Sequence, residues 1–178
     1  MKKVIIISSV VVVFLVLFSM AFSGCSKVGE KIAEKAIEKA SGANVDINLE
    51  KNGVNIQNKE GEQTQIGENA KLPEGWPSEC ATYPDLKLSI STKTKNSDTG
   101  KNEFSILGEV TKGSIKDVYN WYKEKYSSGW ENTTDQYTES NDGDIAYLNY
   151  ANDKYEVGIM IAGKSGESYS LTMTVVEK

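Results

Sequence analysis

Residues 114–138 read SIKDVYNWYKEKYSSGWENTTDQYT, and within this stretch the period of the apolar side chains changes once. Ile115, Val118, Tyr119, Tyr122 and Tyr126 recur at steps of three, one, three and four, which places them on one face of a helix. Ser114 opens that helix, Asp117 three residues on makes a partial capping box, and Gly129 supplies the stop. From Trp130 the chain alternates with period two: over 130–138, then 144–151, then 155–162 and 168–176. Tyr155, Val157, Ile159 and Ile161 carry the third of these runs, and Tyr169, Leu171, Met173 and Val175 the fourth. Asn141-Asp142-Gly143, Asn152-Asp153 and the stretch from Gly163 to Gly166 are the turns between them. Upstream, Leu86, Leu88 and Ile90 alternate, as do Phe104, Ile106, Gly108 and Val110, and these two runs predict a hairpin. The order ββαββββ over residues 86–178 predicts an α+β domain, an antiparallel sheet of about six strands with one helix on its apolar face.

All three prolines lie in LPEGWPSECATYP, between Pro73 and Pro84, so residues 72–85 read as a linker. Residues 44–71 hold three short alternating segments joined at Lys51-Asn52-Gly53 and at Asn58-Lys59-Glu60-Gly61, and predict a β-meander. The polarity of residues 57–71 leaves partial disorder as the alternative there. Before it, residues 27–40 repeat EKIA, EKAI and EKA, which sets Ile32, Ala33, Ala36, Ile37 and Ala40 on one stripe of an amphipathic helix within 25–43. A three-strand apolar face is too small to stand alone, and this helix offers the matching stripe, so the two predict a small αβββ appendage.

Lys2 and Lys3 precede an apolar run from Val4 to Phe22, which reads as an export signal over residues 1–24. Ala21-Phe22-Ser23-Gly24-Cys25 resembles the lipobox of bacterial lipoproteins, with Phe22 where Leu is usual. That resemblance implies cleavage before Cys25 and diacylglyceration of its thiol. An uncleaved signal anchor is the alternative, and both readings leave everything after Cys25 outside the cytoplasm, at the cell membrane. More of the chain resembles a family of uncharacterised exported bacterial lipoproteins that share an LPxGWPS and YP linker and a ββα unit ending in Gly-Trp. Here these are Leu72-Pro73-Glu74-Gly75-Trp76-Pro77-Ser78, Tyr83-Pro84 and Gly129-Trp130. The resemblance implies a fold and a location and brings no activity with it.

Every one of the 20 basic residues is Lys, and there is no His. That composition excludes Ser-His-Asp and Cys-His catalysis, His-ligated metals and bidentate guanidinium recognition of phosphate. Without residues 1–24 the chain carries 18 Lys against 25 acids, a net of −7, which disfavours nucleic acid and anionic lipid headgroups as partners. With Cys25 acylated, Cys80 has no partner within the chain; it reads as a small, partly buried hydrophobe, with an intermolecular disulfide or a reactive thiol as the alternative. Gly158-Ile159-Met160-Ile161-Ala162-Gly163-Lys164-Ser165 spells a P-loop, but in a strand-turn-strand context that lacks the helix needed to cradle phosphates, so no nucleotide is expected. Asp142-Gly143-Asp144 and Asn152-Asp153 lack the spacing of a calcium loop and read as turns, with no metal and no cofactor expected. The remaining signal is aromatic: Trp121 with Lys125 on the helix flank, Trp76 and Trp130 form the candidate binding surface. The chain is thus expected to be a membrane-anchored, non-enzymatic interaction module of the cell envelope, with an envelope protein or a glycan as partner. A small-ligand sensor or carrier with a helix/sheet pocket is the second reading, and a hydrolase using paired carboxylates the third.

Overall fold

The computed structural model of the chain describes Lys35 and residues 44–48, 53–58, 60–164 and 166–178. Residues 1–24, expected to be an export signal, Cys25 and almost all of residues 27–40 lie outside the described residues; Lys35, within 27–40, is helical and exposed.

The elements are β1 (Asn44–Asn48), β2 (Gly53–Gln57), β3 (Gln63–Ile66), β4 (Leu86–Lys95), β5 (Asn102–Val110), α1 (Ile115–Lys125), β6 (Glu131–Thr138), β7 (Asp144–Ala151), β8 (Tyr155–Gly163) and β9 (Tyr169–Glu177). They form one antiparallel sheet of nine strands in the order β1-β2-β3-β4-β5-β9-β8-β7-β6, with α1 packed on β7 and β8. Among the described residues the fold is therefore an antiparallel α+β one with a single helix on the core, as expected, but the sheet has nine strands and not about six. The reason is β4. Its second half, Ser91 to Lys95, is polar and reads as a connection, yet it pairs with β5 on one side and with β3 on the other. The meander is thereby the edge of the main sheet and not an appendage.

The helix begins where the sequence places it. Ser114 accepts from the Asp117 N–H at 3.1 Å, and Asp117 accepts from the Ser114 N–H at 3.0 Å, closing the capping box. Ile115, Val118, Tyr122 and Tyr126 on its inner face are buried, and each such side chain is worth roughly 1.5–3 kcal/mol in apolar transfer. They meet Ala146, Leu148 and Tyr150 of β7, Val157, Ile159 and Ile161 of β8, and the alternate residues of β9 and β5.

The Pro-rich stretch is the second cover of that face. It folds back in successive turns, with the N–H groups of Trp76, Cys80 and Leu86 donating to the carbonyls of Pro73, Pro77 and Tyr83. Pro73, Pro77 and Cys80 are buried, Trp76 meets the Phe104 ring edge-on at 6.0 Å, and the Tyr83 N–H donates to the Tyr122 hydroxyl at 3.1 Å. The residues expected to separate two units instead roof the core beside α1.

One irregularity sets the two faces of the sheet. Leu86 and Leu88 of β4 pair with Val110 and Gly108, but a bulge at Ser89 shifts the register, so that Ile90 pairs with Leu107 and Ser91 with Ile106. The regular alternation of Leu86, Leu88 and Ile90 does not hold. Ile90 lies on the face away from α1, and Ser91, buried, takes the core side.

Candidate functional site

The three tryptophans expected to form one surface are spread along the core roof. Trp76 donates its Nε1–H to the Cys80 carbonyl at 2.8 Å. Trp121 stands edge-on to both Tyr83, at 5.4 Å, and Tyr122, at 4.9 Å, with the Lys125 ammonium 5.5 Å from its ring. Trp130 meets Tyr126 edge-on at 4.9 Å. Tyr126 in turn stacks on Tyr150 at 4.8 Å, so Trp121 and Trp130 are joined through buried tyrosines in one aromatic chain. All three tryptophans are half-buried and pack against the core. Trp130 also lines an open, polar groove of about 490 Å³ with Glu131, Asn152, Asp153 and Lys178.

The ionisable groups serve the fold. Asp135 on β6 accepts from Lys123 at 2.6 Å and from the Tyr119 hydroxyl, and these two bonds hold its carboxyl below the usual range. The same contact with Asp135 raises Lys123, so the pair fastens α1 to the edge strand as an ion pair. Burial pushes the Cys80 thiol up to about 12, with the Glu79 charge adding to it, which makes it an inert thiol. Asp144 accepts from the Tyr137 hydroxyl at 3.1 Å, and the Asn152 side chain accepts from the N–H groups of Lys154 and Tyr155 at 2.8 Å each, which is turn chemistry. No group of metal-ligating side chains occurs among the described residues. The string that spells a P-loop is strand β8 running into the turn before β9, with Gly163 at φ 157° as its last residue.

The surface that stands out is one the sequence reading missed, the outer face of the sheet opposite α1. The registers align a row across eight strands: Val54, Ile66, Ile90, Leu107, Thr172, Met160, Tyr147 and Gln136, from β2 to β6. At roughly 4.8 Å between strands the row is about 34 Å long. A parallel row beside it is short and polar: Thr64, Thr92, Ser105, Thr174, Gly158, Asn149 and Thr134. Gly158 has no room for a side chain in that row, since a Cβ there would lie 2.9 Å from Thr174 Oγ1 and 3.1 Å from Asn149 Oδ1.

Toward β7 and β8 the outer face is open. Ile145, Tyr147 and Met160 are 40%, 43% and 37% exposed, and Val176 on β9 is 36% exposed. Tyr147 and Met160 are direct cross-strand partners, as are Ile145 and Ala162, so Ile145, Tyr147 and Met160 are contiguous, while Val176 lies apart, opposite Glu156 and beyond the polar row. Each of these residues alternates with a buried one, Ala146, Leu148, Ile159 and Ile161. That alternation was visible, but with two apolar faces on one strand the sequence does not say which is covered.

The chain matches no protein-family model and no curated protein. Among the described residues no helix is long and apolar enough to cross a membrane.

Proposed function

We propose that this chain is a membrane-anchored, extracytoplasmic binding module without catalytic activity, tethered by lipid on Cys25, whose partner docks on the outer face of β7–β9. The observation that carries this reading is the contiguous exposed set Ile145, Tyr147 and Met160 on a face that α1 leaves open. Exposed apolar side chains that adjoin one another mark interaction sites more than scattered ones do. Apart from Tyr147 the set is aliphatic or thioether and offers nothing to the hydroxyls of a sugar, and Met adapts to varied protein surfaces, so an envelope protein fits this face better than a glycan. The flank with Trp121 and Lys125 is the second candidate surface. Against a carrier, the space between α1 and the sheet is filled by Tyr122, Tyr126, Leu148 and Ile159, each buried.

The test is photo-crosslinking in intact cells with a benzophenone amino acid at position 147 or at position 121. A discrete protein adduct from 147, lost when Met160→Asp is added without change in melting, supports the reading. Adducts from 121 alone move the site to the helix flank. The anchor is tested separately: a clickable fatty-acid label should enter the wild-type protein and not Cys25→Ser.

A further inference from the structure

We infer that residues 27–40 of this same chain dock on the outer face of β2–β4, on the side of the sheet opposite α1, so that the two ends of the sheet are covered from opposite sides. The two faces of the meander differ in what they present. Its inner side carries Asn55, Gln57, Gln63 and Gln65, and that side is already engaged by the chain after β3. The Lys71 N–H donates to Gln65 Oε1 at 2.9 Å, the Glu74 N–H to Gln63 Oε1 at 3.4 Å, and Gln63 Nε2 to Asn55 Oδ1 at 3.4 Å. The outer side presents Val54, Ile56, Ile66 and Ile90, aligned by register into one apolar patch. The Ser89 bulge creates this inversion, because it puts Ile90 beside Ile66 and not under the core roof.

The occupant follows from where the chain goes next. Residues 27–40 end three residues before β1, and three extended residues reach about 10 Å, so the segment is held beside this patch. A helix of 14 residues is about 21 Å long, comparable with these strands, and its stripe of Ile32, Ala33, Ala36, Ile37 and Ala40 is apolar enough to seal them. Lys35 lies about 130° around the helix from the centre of that stripe at 100° per residue, and it is helical and exposed, as a solvent-facing position requires. So short a tether also gives an effective concentration in the millimolar range, which favours this occupant over a second copy. The patch and the exposed Tyr147 end are separate parts of the face, so the inference does not rest on the proposed function.

The test uses the whole mature chain with Cys25→Ser, Cys80 being buried. Cysteines placed singly at Ile32, Ala36, Ile37 or Ala40 are each combined with Ile66→Cys and, as the inner-face control, with Gln65→Cys. Under mild oxidation at least one outer-face pair should close within the monomer in most molecules, and the Gln65 pairs should not. Covalent dimers through Ile66→Cys assign the patch to a second copy and overturn the inference, as does the absence of any link. A second comparison does not depend on cysteine geometry. Ile37→Asp should lower the melting midpoint by about 5 °C or more while Lys35→Asp leaves it unchanged. Equal midpoints for the two would overturn the inference.

Discussion

The hydroxyls of Tyr122 and Tyr150 end the same buried aromatic stack under opposite conditions. Tyr122 accepts the Tyr83 N–H at 3.1 Å and so ties the roofing segment to α1. Among the described residues the Tyr150 hydroxyl is buried with no hydrogen-bond partner. An unmade hydrogen bond costs a buried donor its hydration, whereas deleting a polar atom that has no partner costs little. Tyr122→Phe is therefore expected to lose about 1 kcal/mol by orphaning the Tyr83 N–H. Tyr150→Phe is expected to be neutral or slightly stabilising. Urea midpoints at constant slope report both, and an equal loss from the two would show that Tyr150 has a partner after all. Neither outcome could be read from the sequence, where both tyrosines fall on apolar faces in the same way.

The element most legible in the sequence was α1, because cap, period and stop agree locally and the tertiary structure had nothing to override. Its start rests on Ser114 and Asp117. The Ser114 N–H and hydroxyl together hold the Asp117 carboxyl below the usual carboxylate range. A depressed folded value means that this contribution is present above the unfolded value and is lost as pH falls through the folded one. Ser114→Ala should cost about 1 kcal/mol, measured by denaturation near neutral pH, and most of that cost should persist in acid, because the lost acceptor of the Asp117 N–H does not titrate and the Ser114 N–H still holds the Asp117 carboxylate. A penalty that vanishes at low pH would show that the cap acts through the Asp117 carboxylate alone. Strand β4 was the opposite case. Leu86, Leu88 and Ile90 look regular, and the bulge that breaks them is set by Ser89, whose hydroxyl donates to the Leu107 carbonyl at 3.2 Å and whose own carbonyl accepts the Gly67 N–H at 2.8 Å. Those contacts are long-range, so no local pattern announces them, and with them went the pairing of β3 and β4 and the count of strands. The candidate site was only partly legible for a related reason. Tryptophans were chosen for their chemistry, but burial against Phe104, Tyr122 and Tyr126 employs them in the roof, while exposure fell to Tyr147 and Met160 on a face that only the topology identifies.

At the scale of the whole molecule the sheet is asymmetric: its inner face is sealed at the β5–β9 end by α1 and the roofing segment, and its outer face there is open. The two proposals extend this to the other end, with the tether emerging where residues 27–40 meet the meander and Tyr147 on the same outer face toward the opposite end of the sheet. The sealed core makes its own prediction, because the groups buried in it are neutral acids. Burial pushes Tyr150 and Tyr169 up to about 12 from an ordinary 10.0, and Cys80 up to about 12 from 9.0. For an acid whose folded value is raised, the folded state holds the proton that the unfolded chain gives up. The stabilisation is then fully present below the unfolded value and is lost as pH climbs toward the folded one. Acid should thus be tolerated as far as these groups are concerned, and stability should fall from about pH 9 upward and steeply between about 10 and 12. The melting midpoint followed with tyrosinate absorbance distinguishes the mechanism. The buried tyrosines should ionise only together with unfolding, in one cooperative step. Gradual ionisation of every tyrosine with the sheet intact would mean that water reaches the stack of Tyr126 and Tyr150, and that the roof over it opens in the native state.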